Sequence, residues 1–205
     1  MRSAAQTTFA NDLEVFNYAL TLEHLEYAFY RDGLDRFGEG DFADAGFDAE
    51  VYEYFGLIRD HEQAHVETIA ETISGAGGTP VEEAEYDFGY DDVAGFVGVA
   101  QALENTGVAA YTGAAGFIDD GGLLTAALTI HGVEARHAAY LNFLVGDEPI
   151  PAAFETTLTP DEVLAIAGPF IVSAGGEDSD DTSGTTTMPS TGSGAGVGGE
   201  LQGRW

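Results

Sequence analysis

The chain has 205 residues, 44% of them apolar and none of them cysteine, and sets 36 Asp and Glu against six basic residues, all arginine, for a net charge of -30. That length supports one domain with a sizeable core, and the lack of cysteine excludes disulfides, thiolate metal sites and a Cys nucleophile. So negative a chain repels nucleic acid and anionic membranes, and no apolar run is long enough to span a bilayer.

Residues 1–10 have one arginine, Arg2, and no apolar run behind it, so they read as a flexible N-terminus and not as a targeting signal. A cytoplasmic protein is expected by default, or an extracellular one if a signal has been removed. The first helix is predicted from about Asn11 to Arg31, with Asn11 as cap and Glu14 in capping-box position. A Gly- and Asp-rich loop, about Gly33 to Asp48, follows. The second helix is predicted from about Ala49 to Ser74 and stops at Gly75. The third runs from Asp91 or Asp92 to about Ile118. The fourth begins after Gly121-Gly122 and ends at Val145 before Gly146. A short fifth helix starts at Thr159, with Pro160 in its first position and Glu162 three residues after the cap.

Helices three and four are joined by a few residues and are expected to be antiparallel. The stretch from Gly75 to Tyr90 can run the length of a helix of roughly 25 residues, at about 3.3 Å per residue. That is the crossover needed between parallel second and third helices. Residues 11–173 are thus expected to form an all-α four-helix bundle with a long crossover between helices two and three. Residues 174–205 are rich in Gly, Ser, Thr and Asp and are expected to be a disordered acidic tail. The tail ends in Trp205, which could dock a partner; a plain solubilising tail is the stronger reading.

Two segments carry Glu-x-x-His: Glu62 with His65, and Glu134 with His137. On a helix, residues three apart share a face, so each pair can hold one metal ion. The other two long helices each carry a glutamate mid-way, Glu23 and Glu104, with a tyrosine seven residues later, Tyr30 and Tyr111. Seven residues is close to two turns, so glutamate and tyrosine share a face. The pattern is duplicated: Glu23 and Glu104, like Tyr30 and Tyr111, lie 81 apart (104 − 23, 111 − 30), and Glu62/Glu134 and His65/His137 lie 72 apart (134 − 62, 137 − 65). All four glutamates fall near mid-helix, where four buried carboxylates repel unless cations join them. One Glu from each of two helices plus Glu-x-x-His from each of the other two is the ligand set of dinuclear carboxylate bundles. Glu26 competes with Glu23, and helical phase together with the tyrosine spacing favours Glu23. His24, His61 and His131 miss the ligand phase and are expected at the surface or behind the ligands. Tyr30 and Tyr111 are expected to act as hydrogen-bonding groups beside the ligands and not as radicals.

On Ala19 to Glu26, His61 to His65, Leu103 to Tyr111 and Glu134 to His137, the chain resembles the ferritin-like superfamily over about residues 11–172. More narrowly, it resembles the prokaryotic ferritin-like proteins related to desiccation-associated proteins. The resemblance implies Glu62 and Glu134 as bridging ligands and Glu23, Glu104, His65 and His137 as terminal ones. It implies two metal ions, iron foremost and manganese as the alternative, with oxygen or peroxide as co-reactant. Ferroxidase or peroxide-scavenging activity in oxidative or desiccation stress would follow, or a catalase-like activity with manganese. The alternative is a catalytically idle metal-binding or assembly module. Homo-oligomers are possible in such a fold. Haem held by core methionine is not supported, because Met1 and Met188 lie outside the bundle. Finally, acids run throughout the chain and lysine is absent, which reads as a halophile's adaptation: concentrated salt screens the self-repulsion.

Overall fold

The Asn11 side chain accepts the Glu14 N–H at 3.1 Å, while the Glu14 carboxylate accepts the Ala10 N–H at 2.7 Å. This cap starts helix α1 (Asp12–Arg36) in the computed structural model, which describes residues 9–173. The expectations for residues 1–8 and 174–205, including the docking tail, lie outside the described residues.

Helix α1 runs past the expected stop at Arg31 and through Gly33. The glycine is there for packing: an added Cβ would sit 2.1 Å from the Phe96 ring. The expected loop after it holds a short helix, α2 (Glu39–Asp44), anchored by the fully buried Phe42. Helix α3 (Ala49–Gly75) buries Val51, Phe55, Ile58, Glu62, His65, Ile69 and Ile73, at steps of three or four residues. Helix α4 (Val93–Ala114) is capped by Asp92 on the Gly95 N–H at 2.8 Å, and ends four residues before the expected Ile118 in a 3-10 turn at Ala115–Phe117. Helix α5 (Gly121–Val145) is capped by Asp120 and stopped by Gly146, whose φ of 86° suits glycine. Helix α6 (Pro160–Ala167) has the expected Thr159–Glu162 capping box. A small clip joins β1 (Glu85–Tyr86) to β2 (Ile171–Ser173), antiparallel. Strands of two and three residues are too short to show alternation, so the sequence gives no sign of them.

Hydrogen bonds at the helix ends fix the topology. Asp12, at the start of α1, accepts from Asp119 and Asp120 just after α4, and Arg36, at the end of α1, donates to the Tyr90 and Asp91 carbonyls just before it. Helices α1 and α4 are therefore antiparallel. The crossover lies along α1. Asn17 bonds Thr79 and Val81, His24 bonds the Val81 carbonyl, and Arg31 pairs with Glu83 at 2.9 Å. Asn17, His24 and Arg31 are seven residues apart, so one stripe of α1 holds the strap over its whole length. Helices α3 and α4 are parallel, as the crossover length requires. Helix α1 packs along α3, and α4 packs along α5.

The bundle has two unlike ends. At one, Phe29, Tyr30, Phe42, Phe55, Phe88, Tyr90 and Phe96 pack ring against ring, several edge to face, as Phe29–Phe88 at 5.1 Å and Phe42–Phe55 at 5.4 Å. At the other, Phe16, Ala19, Leu20, Ile69, Ile73, Tyr111, Ala127 and Ile130 form a separate apolar cluster with smaller side chains. The mid-helix glutamates sit between them.

Candidate metal centre

Four helices deliver the six side chains to one buried point. Glu23 comes from α1, Glu62 and His65 from α3, Glu104 from α4, and Glu134 and His137 from α5. All four glutamates have no exposed surface, and His65 and His137 are 9% and 5% exposed. The i, i+3 spacing places each imidazole beside its own glutamate and also against glutamates of other helices. The His65 Nδ1 lies 2.9 Å from Glu134, 3.1 Å from Glu23 and 3.2 Å from Glu62. The His137 Nδ1 lies 3.1 Å from Glu62, 3.3 Å from Glu104 and 3.5 Å from Glu134.

Two overlapping groups result, each with its ligand-type atoms within 4.8 Å of one another: Glu23, Glu62, His65 and Glu134, and Glu62, Glu104, Glu134 and His137. Glu62 and Glu134 belong to both. One Nδ1 facing three carboxylate oxygens cannot satisfy them all, because it carries at most one hydrogen. Both oxygens of Glu134, one each of Glu62 and Glu104, and the His137 Nδ1 are buried without a hydrogen-bond partner. Several of these atoms lie within ion-pair distance but are not aligned for hydrogen bonds. Ligands about 2.1 Å from a shared ion and at right angles are about 3 Å apart, the spacing seen here. The donor set, hard carboxylates with two imidazoles, is therefore compatible with divalent metal ions.

Without cations, protons must balance the cluster. Burial pushes Glu23 and Glu104 well above the usual carboxylate range, and the nearby Glu134 carboxylate adds to the push. Burial also opposes the charge on both imidazoles, but the carboxylates close around them outweigh it and raise His65 and His137 to about 12. Burial opposes charge on Glu134 too, yet His137 and His65 hold it ionised, down to about 2. The metal-free cluster is thus two imidazolium ions facing fewer than four charged carboxylates.

The tyrosines sit differently from the simplest reading of their spacing. Each serves the glutamate of the other helix: the Tyr30 hydroxyl donates to Glu104 at 2.7 Å, and the Tyr111 hydroxyl donates to Glu23. Helical side chains lean toward their own N-terminus, so each tyrosine reaches back from two turns away to mid-bundle, where the antiparallel neighbour presents its glutamate. Burial, then the adjacent carboxylate, pushes both phenols well up, which keeps them as donors.

The remaining histidines hold the frame. His61 Nδ1 meets His137 Nε2 at 2.9 Å with the rings nearly parallel, fixing the imidazole from its outer side. His24 ties down the crossover, and His131 meets the Thr112 hydroxyl at 3.0 Å. Glu26 stands apart from both ligand groups yet is only 3% exposed. Its carboxyl lies over Gly107, where an added Cβ would be 2.8 Å away. Burial, then Glu104 and the other carboxylates, push its pKa well up. The signal for its burial was present in the sequence: Gly107 follows Glu104 by three residues, as Glu26 follows Glu23. A part-buried amide triad, which the sequence pattern does not announce, lies nearby. Asn142 bridges Gln101 and Asn105 across α4 and α5, at 2.7 and 2.9 Å.

Fold and site together define a helical bundle with a buried carboxylate–histidine cluster compatible with metal. The chain belongs to the ferritin-like domain family, whose model matches residues 11–147. It is 27% identical over 167 residues to Protein rds1 of Schizosaccharomyces pombe (strain 972 / ATCC 24843), a match covering 82% of this chain. The matched stretch spans 41% of that curated relative's length. The chain is also similar to the crystal structure of the conserved hypothetical protein rv2844 from Mycobacterium tuberculosis, with a TM-score of 0.54 and 21% identity. That likeness covers 70% of this chain and 96% of the other, and concerns the fold. Among the described residues, no helix is long and apolar enough to cross a membrane.

Proposed function

We propose that the cluster binds two metal ions, iron foremost and manganese as the alternative, and supports ferroxidase or peroxide-scavenging chemistry. One observation carries this reading: two four-residue groups share Glu62 and Glu134. In it, Glu23 and His65 hold one ion, Glu104 and His137 hold the other, and Glu62 and Glu134 bridge. Iron(II) bound by these residues would supply the two electrons that reduce dioxygen, with two protons, to hydrogen peroxide.

The chain's own groups prepare for this. His65 and His137 must give up their Nδ1 protons, and Glu23 and Glu104 theirs, before all can ligate, so metal uptake releases protons. Tyr30 and Tyr111 hold one oxygen each of Glu104 and Glu23, leaving the other oxygen for an ion. The buried walls keep bulk water from the centre.

A salt-rich setting is the context we infer from the charge of -30, and a role in oxidative or desiccation stress follows from the redox reading. Screening in concentrated salt is expected to raise the thermal midpoint. The test of the chemistry is direct. Purified protein is assayed for metal by elemental analysis, then given iron(II) while oxygen uptake is followed. Uptake above that of Glu62→Ala supports the reading; bound metal with no uptake points to a catalytically idle metal module instead.

A further inference from the structure

The Tyr111 side of the centre contains a narrow cavity. It lies among the N-terminal half of α1, the last turns of α3 and α4, and the first half of α5, with Ala19, Ala110 and Ala127 among its walls. Its volume is about 20 Å³. On that measure a single water needs about 10–15 Å³, so the space takes one molecule of two or three atoms.

Its polarity selects further. Apart from two tyrosine hydroxyls, every lining side chain is hydrocarbon. The Tyr111 hydroxyl is committed to Glu23, and the Tyr18 hydroxyl is buried with no partner, in a residue 4% exposed. A water needs two to four polar partners and would find one hydroxyl here, so the cavity is dry. Hydrogen peroxide, with two O–H donors, is excluded on the same ground. An apolar diatomic loses nothing by entering. A second pocket, open to solvent beside Leu124, Leu128 and His131, shares Tyr111, Ala115 and Ala127 with the first, so these three residues stand between the two.

The pseudo-symmetric position offers no such route. Tyr30 has no exposed surface and is ringed by Phe29, Phe55 and Phe96, at centroid distances of 5.2, 5.7 and 6.3 Å. The duplicated ligand pattern therefore has one sealed side and one porous side.

We propose that this cavity is a dry holding site through which dioxygen reaches the Tyr111–Glu23 side of the centre. The inference rests on the redox reading above and sharpens it, since it makes dioxygen and not peroxide the molecule this side admits.

Xenon is the probe, because it enters dry apolar cavities whatever the metal does. Crystals of the full chain under xenon pressure are expected to show the gas between Ala19, Ala110 and Ala127. Ala110→Leu fills the inner space and is expected to abolish the xenon peak. Ala127→Met, at the rim where a flexible side chain has room, blocks the partition and guards against a folding failure of the first variant. With iron(II) loaded to the same stoichiometry, both variants are expected to take up oxygen several-fold more slowly while reacting with added hydrogen peroxide at the unchanged rate. Absence of xenon from the cavity, or unchanged oxygen uptake in the filled variants, overturns the inference. Xenon in the cavity of a protein that binds iron but never consumes oxygen overturns the redox reading instead, and leaves a gas site without a reaction.

Discussion

The two ends of the bundle start from the same plan and finish differently. Each places a tyrosine two turns from a mid-helix glutamate and bonds it to the glutamate of the opposite helix. At the Tyr30 end the surrounding space is filled by phenylalanines, some from outside the four long helices: Phe42 from α2 and Phe88 from the crossover. At the Tyr111 end Phe16 and Tyr18 are the only other aromatic walls, the rest are alanine, valine, isoleucine and leucine, and space remains. Identical ligand geometry does not require identical support. One end is built for rigidity, and the other leaves an opening beside the same kind of hydrogen bond.

The comparison can be broken most sharply at its aromatic hub. Phe96 touches Phe29, Tyr30, Phe37, Phe42, Phe55 and Tyr90 and has no exposed surface. Phe96→Ala is expected to cost about 3–5 kcal/mol in denaturant unfolding, the full penalty of a void in a well-filled site. A loss below about 1 kcal/mol would mean that this end collapses easily and is no more rigid than the other.

A smaller effect separates the tyrosines. Tyr30→Phe and Tyr111→Phe each remove one hydrogen bond and are each expected to cost about 1 kcal/mol. Their consequences for gas differ. Tyr111→Phe takes the Glu23 donor away at the cavity wall and is expected to slow oxygen uptake, whereas Tyr30→Phe remains enclosed and leaves uptake unchanged. Equal kinetic effects would erase the distinction between the ends.

The smallest effect is a slope, and it asks whether the cluster between the ends governs stability. In metal-free protein the raised pKa values of Glu23 and Glu104 give stability that is present below pH 4.5 and lost as pH climbs through their raised values. His65 and His137, raised to about 12, give stability present below pH 6.5 and lost toward 12. Glu134, lowered to about 2, gives stability present above 4.5 and lost as pH falls toward 2. These signs make the cluster's own contribution to metal-free stability largest near pH 4.5, declining above it. Cations replace the protons in loaded protein, so the gap in thermal midpoint between loaded and metal-free samples is expected to widen as pH rises. A narrowing gap would place the controlling charges elsewhere.

Much of this was legible before any coordinates. The duplicated Glu–Tyr and Glu-x-x-His spacings, read with helical periodicity, were enough to bring six residues from four helices to one level, and the crossover length set the parallel pair. What stayed hidden depended on contacts between distant segments. Gly33 reads as a stop, yet α1 continues because Phe96 of α4 needs the space of a missing side chain. Glu26 reads only as a rival of Glu23 for the ligand position, yet Gly107 makes a buried berth for it. The reciprocal tyrosines share a face with their own glutamate but serve the other one, because side-chain lean and antiparallel pairing act together. His61 reads as a bystander until His137 turns its Nε2 outward to meet it.

The sharing of Glu62 and Glu134 has a consequence for how the molecule is divided. The α1–α3 hairpin contains Glu23, Glu62 and His65, three of the four residues in one group, and takes the fourth, Glu134, from the α4–α5 hairpin. The second hairpin contains Glu104, Glu134 and His137 and takes Glu62 in return. Neither hairpin can complete a coordination sphere by itself. An ion held in either group stitches the two halves of the chain to each other, so cutting the strap within residues 76–92 would leave two fragments with a metal-dependent reason to reunite.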